Sequence, residues 1–458
     1  MSESIDAAVI GLGPGGEHVA AQLAQAGLSV LGVEKHLVGG ECPYYGCIPS
    51  KMMIRAAGAL AEARRVPTLG GSVEVTPDWT TVAKRISDEA TDAWNDQVAV
   101  DRLIDNGATF ARGHGRLAGP GKVVVETADG TQEYDVQRAV VLNVGTEPAI
   151  PPVPGLAETP YWTNRDAVQV KNLPESMIVL GGGAIGCEIA QAFARFGVDV
   201  TILEVADRIL GPEEPEASEV VAGAMADEGI DVRVGVDITR IDHTAGPGFT
   251  VSLGGGSVLS AGALLVAAGR RTNLSDLGLD TVGLDPSSRF LDTDEQVRAG
   301  DQLWAVGDIT GKGQFTHMSM YQAEVAVRSI LGKDGPWADY TAVSRATFTD
   351  PEVGSVGLTE KQARDAGIRV TTGSYSLPSS SRGWMHKTGN HGVIKVVADA
   401  DRGVLVGGTT VGPSGGEMIG LIAAAVHAGT PVAKLRTMHY AYPTFHRAIE
   451  NAINELEV

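Results

Sequence analysis

The chain has 458 residues, of which 43% are hydrophobic and 20% charged; this is a globular balance, and the length exceeds what one core organises, so two or three domains are expected. A formal net charge of -20 argues against nucleic acid or an anionic membrane as a main partner, and no run of about 18 apolar residues marks a transmembrane helix. Three cysteines are too few for a disulfide scaffold, and no basic signal region precedes Ala7, so a reducing, cytoplasmic setting is expected.

The first element is an apolar strand, Ala7–Ile10, followed by Gly11-Leu12-Gly13-Pro14-Gly15-Gly16 and an alanine-rich helical stretch to Ala26. A second apolar run, Leu28 to Val33, ends in Glu34. This is the βαβ dinucleotide-binding pattern. Gly11 permits the tight turn, Gly13 and Gly15 keep the loop small beside a pyrophosphate, and Gly16 allows close helix–strand packing. The helix N-terminus offers N–H groups to phosphates, and Glu34 is placed to accept from a ribose diol.

Next comes Gly39-Gly40-Glu41-Cys42-Pro43-Tyr44-Tyr45-Gly46-Cys47-Ile48-Pro49-Ser50-Lys51. Cysteines five positions apart can form a disulfide if the chain bends between them. A helix start and Lys51 nearby favour a thiolate. A redox-active pair is the leading reading. A structural disulfide and a zinc site compete with it, although zinc needs four ligands and no second cysteine pair or histidine cluster accompanies this one.

The nucleotide-binding pattern then returns 170 positions later, with Gly181, Gly183 and Gly186 after Met177–Leu180, and Glu204 ending the run Val198 to Leu203. Two such sites suggest two dinucleotides that exchange electrons. An acid at Glu204 favours NADH over NADPH by repelling a 2′-phosphate, and Arg208 is the nearby residue that weighs the other way. Cys187, beside Glu188 at the start of the second helix, is expected to be a packed small residue.

The string from Gly39 to Lys51 resembles the active-site segment of the pyridine nucleotide–disulfide oxidoreductases, and the resemblance covers essentially the whole chain. It implies an α/β fold with an FAD domain (1–150 and 271–340) split by a nicotinamide nucleotide domain (151–270), then an α+β dimerisation domain (341–458). By position, Val144-Gly145-Thr146 and Ala268-Gly269-Arg270 are similar to the crossings into and out of the inserted domain. Leu303–Asp308 resembles the second FAD motif, with Gly307 at the turn and Asp308 on the ribityl chain. Asn143 stands where threonine is commoner. The same resemblance implies that Cys47 lies nearer the flavin, that Cys42 is the interchange thiol, and that Lys51 and Glu188 pair beside the flavin. It also implies a homodimer whose active sites are shared between subunits.

One feature of the family pattern is missing. Its C-terminal histidine and the glutamate five positions later, which serve as acid–base, are here Tyr442 and Arg447 in His439–Arg447. A histidine exchanges protons near neutrality, whereas a phenol is a poor base there. His446 and His439 are displaced acid–base candidates, with a surface or interface position as the plainer role for each. Tyr442 and His446 are the pair assigned here. Arg447 suits an anionic substrate, and Tyr44, Tyr45 and Trp384 are candidates for the substrate path. The function expected is therefore NADH-dependent, FAD-mediated reduction of a small acceptor such as a disulfide through Cys42 and Cys47. Thiolate-driven carbon–sulfur cleavage and a non-catalytic flavoprotein sensor remain open.

Overall fold

The computed structural model describes residues 2–246 and 248–458 and resolves two compact units. The first runs through Pro49 and takes in Arg85–Ala149 and Arg270–Tyr340; the second combines Ser50–Lys84, Ile150–Gly269 and Thr341–Val458. The expected α/β class holds in both.

In the first unit, strand Glu3–Ile10 lies between Val30–Glu34 and the second half of Gly130–Leu142, parallel to each. Thr109–Leu117 and Leu303–Ala305 extend the parallel sheet on either side, while Lys122–Thr127 closes an antiparallel meander with its neighbours. A central strand covered on both faces needs apolar residues on both. Ala7 and Val9 accordingly pack with Val19 and Leu23 of helix Pro14–Gln25 and with Ala323 and Val327 of helix Thr316–Ile330. Ala8 and Ile10 pack on the opposite face with Val140 and Leu142.

The second unit repeats the parallel theme with Ala263–Val266, Ser176–Leu180, Asp199–Leu203 and Asp231–Arg233. A three-stranded antiparallel sheet, Ile238–Thr244, Gly248–Leu253 and Val258–Ala261, accompanies it. Its C-terminal part is a five-stranded antiparallel sheet, in the order Ser344–Thr347, Glu352–Gly357, Val404–Gly412, Val393–Asp399, Val370–Ser376. Helices Gly415–His427 and His446–Asn454 bury Ile419, Ile422, Ile449 and Ile453 against Val356, Ile394 and Val396.

Both second strands start later than their apolar runs suggest, at Val30 and Asp199. The reason is the same in each. Leu28 N–H donates to Leu23 O at 3.2 Å and Val198 N–H to Phe193 O at 3.2 Å, so each residue closes the preceding helix's C-terminal turn. Among the described residues no helix is long and apolar enough to cross a membrane.

Within the second unit, Asp350 ties together the far ends of two helices. Arg65 ends Cys47–Arg65 and Arg195 ends Ala184–Arg195, and both guanidiniums donate to Asp350 Oδ2 at 2.7 Å. Arg195 also grips Glu228 with two bonds of 2.8 and 2.5 Å. Gln191 exchanges hydrogen bonds with the Asp350 backbone at 2.8 and 2.7 Å. Burial alone raises the Asp350 carboxyl, but Arg195 and Arg65 outweigh it and hold the group below the usual range. A depressed carboxyl stabilises the fold above its unfolded value, near pH 4, and that contribution fades as pH falls through the folded value. We expect Asp350→Asn to cost about 2–3 kcal/mol at pH 7, the scale of charge-assisted bonds, with the difference from wild type shrinking in acid. Urea midpoints at pH 7 and pH 3 check both parts.

Candidate active site

The glycine turn of the first unit is built backbone on backbone. A Cβ on Gly16 would sit 2.0 Å from Gly11 O, so the helix cannot start here with any side chain at that position. The atom that Gly16 must avoid belongs to the residue directly after the first strand, so the helix start lies close against the strand's end. Glu34 grips the same turn, accepting from Leu12 N at 2.8 Å and from His36 N at 2.7 Å. Asn143 seats the helix start from the other side. Its amide oxygen accepts from Gly16 N at 2.9 Å, and its nitrogen donates to Val306 O and the Ser319 hydroxyl. A Cβ on Gly15 would strike that hydroxyl at 2.3 Å, and one on Gly307 would meet it at 2.9 Å. Gly145 instead takes a left-handed φ of 67° in open space.

Asp308 stands at the edge of this turn, half-buried. Thr146 Oγ1 donates to Asp308 Oδ2 at 2.6 Å, and Arg270 donates to Thr146 Oγ1 at 2.7 Å and to Thr146 O at 2.6 Å. Burial raises the Asp308 carboxyl above the ordinary range despite Thr146 and Arg270.

The cysteine segment leans on the turn. Gly39 N donates to Leu12 O at 2.7 Å, and a Cβ on Gly40 would come within 2.9 Å of Gly13 Cα. Cys42 lies in the four-residue helix Glu41–Tyr44, and Cys47 opens Cys47–Arg65. The bend between them, closed by Tyr45 N and Gly46 N donating to Glu41 O, brings the thiols together as a hydrogen-bonded pair. That bond with Cys47, reinforced by burial, pushes the Cys42 thiol above its ordinary range, while Thr316 pulls the other way. Thr316 Oγ1 lies 3.4 Å from Cys47 Sγ. Sequence reading missed Thr316, which belongs to no glycine or cysteine motif.

In the second unit the grammar is reproduced. Glu204 accepts from Gly182 N at 2.7 Å and Ala206 N at 2.8 Å, matching Glu34. A Cβ on Gly186 would fall 2.0 Å from Gly181 O, whereas one on Gly183 would meet nothing within 4 Å. Gly183 therefore leaves an open approach to the helix start. Arg208 turns to Gly211 O at 2.7 Å, and Gly269 takes a φ of 114°. Lys51 and Glu188 do pair, at 2.7 Å, and Glu188 also accepts from Phe348 N at 2.8 Å. The Lys51 ammonium lies 4.7 Å from the Phe348 ring centre. Cys187 is fully buried, bonded to Gly182 O at 3.3 Å, and burial pushes its thiol up.

At the C-terminus Tyr442 is 71% exposed and His446 is exposed at the start of His446–Asn454. His439 is exposed as well. Arg447 is tied to Glu450 of its own helix at 2.5 Å, which lessens its availability to an anion. Tyr44 is buried, while Trp384 is 73% exposed.

A family model described as "Pyridine nucleotide-disulphide oxidoreductase" matches residues 5–328, and that family's dimerisation domain matches 343–453. The chain belongs to this family. It is 34% identical to a dihydrolipoyl dehydrogenase of Halobacterium salinarum, over 99% of this chain and 96% of that one. Identity to a mercuric reductase of Acidithiobacillus ferrooxidans is 31%, over 98% and 82%. Among solved structures, LpdA of Mycobacterium tuberculosis has a TM-score of 0.85 at 26% identity, over 98% and 99%. The HOCl-induced flavoprotein disulfide reductase RclA of Escherichia coli has 0.83 at 27%, over 98% and 99%.

As a member of the family the protein is a flavin-dependent NAD(P)H disulfide oxidoreductase, and its residues fit FAD and a nicotinamide nucleotide. The side-chain-free turns around Gly13 and Gly183 suit a pyrophosphate, and a half-buried carboxylate such as Asp308 suits hydroxyl donors. We expect Gly183→Ala to fold normally and raise the KM for the nicotinamide nucleotide about tenfold, while Gly186→Ala lowers the unfolding midpoint. Thermal unfolding and steady-state kinetics of both variants separate the two effects.

Proposed function

We propose that Cys42 and Cys47 are the redox pair through which the protein passes electrons from NADH, by way of FAD, to a small disulfide-like acceptor. The observation that carries this reading is the pair itself: two thiols brought together by the bend at Glu41–Gly46, with a hydroxyl 3.4 Å from Cys47. In this reading residues 1–150 and 271–340 hold FAD, 151–270 hold NADH, and 341–458 mediate a homodimer in the cytoplasm. Glu204, held by two amides, supports the preference for NADH, since a fixed carboxylate repels a 2′-phosphate.

Bound FAD and NADH supply the two electrons that return the pair to the dithiol. Cys42, its raised thiol first giving up its proton to an acid–base group, attacks one sulfur of the acceptor as thiolate and expels the other as a thiolate, leaving a mixed disulfide. Cys47, as thiolate, then attacks Cys42 Sγ, which forms the internal disulfide and releases the second thiol. Lys51, oriented by Glu188, would present a cation to a bound flavin. The exposed Tyr442 and His446 are the acid–base candidates that a second copy of the chain contributes. A phenol in place of imidazole favours proton donation to a leaving group over proton removal, which also keeps carbon–sulfur cleavage as a second reading.

Two outcomes test the proposal. Anaerobic titration of the FAD-loaded protein should consume two NADH equivalents per flavin in wild type and one in Cys47→Ser. Equal consumption would take the cysteines out of the circuit. Because the Cys42 thiol is raised, its alkylation by iodoacetamide in the reduced protein should keep climbing with pH beyond the ordinary thiol range, near 8.5. Peptide mass analysis across pH 7 to pH 11, on the order of that range, checks this.

A further inference from the structure

Asp92, Ala93 and Trp94 all have left-handed φ, at 46°, 53° and 60°. Three side-chain-bearing residues in succession rarely adopt this conformation, because each Cβ crowds the following carbonyl. The turn comes straight after a π-helical stretch, Ile86–Ala90, another uncommon geometry that concentrates at functional sites. The surrounding contacts hold it in place: the buried Thr91 hydroxyl donates to Ile86 O at 3.0 Å, and Ala93 N donates to Ser87 O at 2.7 Å.

The turn brings Trp94 back onto the cysteine segment of the same unit. Its indole N–H donates to Tyr44 O at 3.0 Å, a carbonyl at the end of the short helix that carries Cys42. Two residues on, Asp96 Oδ2 accepts from Val38 N at 2.7 Å and from Arg112 at 2.5 Å. Arg112 in turn donates to His36 O. Residues 94–96 thus hold both ends of the stretch 38–44, with Cys42 inside it.

We infer that Trp94 and Asp96 form a clamp that keeps the Cys42 thiol within bonding reach of Cys47, so that Trp94 is a positioning residue for the redox pair. The inference rests on reading Cys42 and Cys47 as an exchanging pair. Its readout is the dithiol–disulfide equilibrium. Two S–H bonds break and one S–S bond forms in the protein, while an external disulfide takes up the two electrons and two protons and is released as two thiols. A looser loop lowers the effective concentration of one thiol at the other and shifts that equilibrium toward the dithiol.

The test equilibrates the FAD-loaded, full-length protein in anaerobic buffers of reduced and oxidised dithiothreitol, then counts alkylated cysteines by mass. Trp94→Phe, which keeps a ring and loses the donor, should shift the equilibrium constant toward the dithiol about three- to tenfold, the scale of one hydrogen bond. Trp94→His, which keeps a ring N–H at similar reach, should stay within about twofold of wild type on the same scale. Ala93→Gly, which relaxes the turn and removes no clamp contact, should match wild type. Asp96→Asn weakens the other hold and should shift the equilibrium in the same direction, so it serves if Trp94→Phe fails to load FAD. An unchanged equilibrium in Trp94→Phe, or equal shifts in the Phe and His variants, overturns the clamp while leaving the redox pair intact. A wild type that forms no reversible Cys42–Cys47 disulfide overturns the underlying reading and the clamp with it.

Discussion

A carboxylate at the end of a strand, gripping an amide of the glycine turn beside it, is the contact on which both glycine turns depend. Glu34 holds Leu12 N and Glu204 holds Gly182 N, and each uses its second oxygen on an amide two residues downstream. Charge-assisted bonds of this kind are about twice as strong as neutral ones. With the turn fixed, the helix start is fixed, and in the first unit the cysteine segment has a surface to lean on. Gly39 and Gly40 rest on Leu12 and Gly13. Glycine turn and cysteine segment are therefore one piece of backbone packing.

The second unit solves a different positioning problem from a distance. Lys51 and Glu188 stand near the beginnings of two helices whose last residues, Arg65 and Arg195, share Asp350. Lys51 and Arg65 are 14 positions apart, about 21 Å along a helix at 1.5 Å per residue. One continuous helix covers that span, and Trp79 packs edge-on against Phe193 and Phe196 at the far end of the other.

Local chemistry explains what was legible in the sequence. The glycine turns, the strand-end acids and the cysteine string are each short and contiguous, so spacing alone exposes them. The Lys51–Glu188 pair was legible only through family resemblance, because nothing in either local sequence names the other. Thr316 and Trp94 escaped because each acts on a segment far away in the chain: Thr316 is 269 positions from Cys47 and Trp94 is 50 from Tyr44. Gly16 was legible as a position that forbids a side chain, but a pattern does not say which atom forbids it, here Gly11 O just past the first strand. The left-handed turn at residues 92–94 uses no glycine, so no conformational marker in the sequence announces it.

Cys187 lies sealed beneath the second glycine turn, its thiol spent on Gly182 O and suppressed by burial, while Cys42 and Cys47 stay partly open. The three sulfurs thus divide into two that a thiol reagent meets in the folded chain and one that reports on integrity. Any reagent that reaches the third has done so by way of an opened core around the second glycine turn. The chain carries its own internal gauge of unfolding, readable in the same thiol count that follows its chemistry.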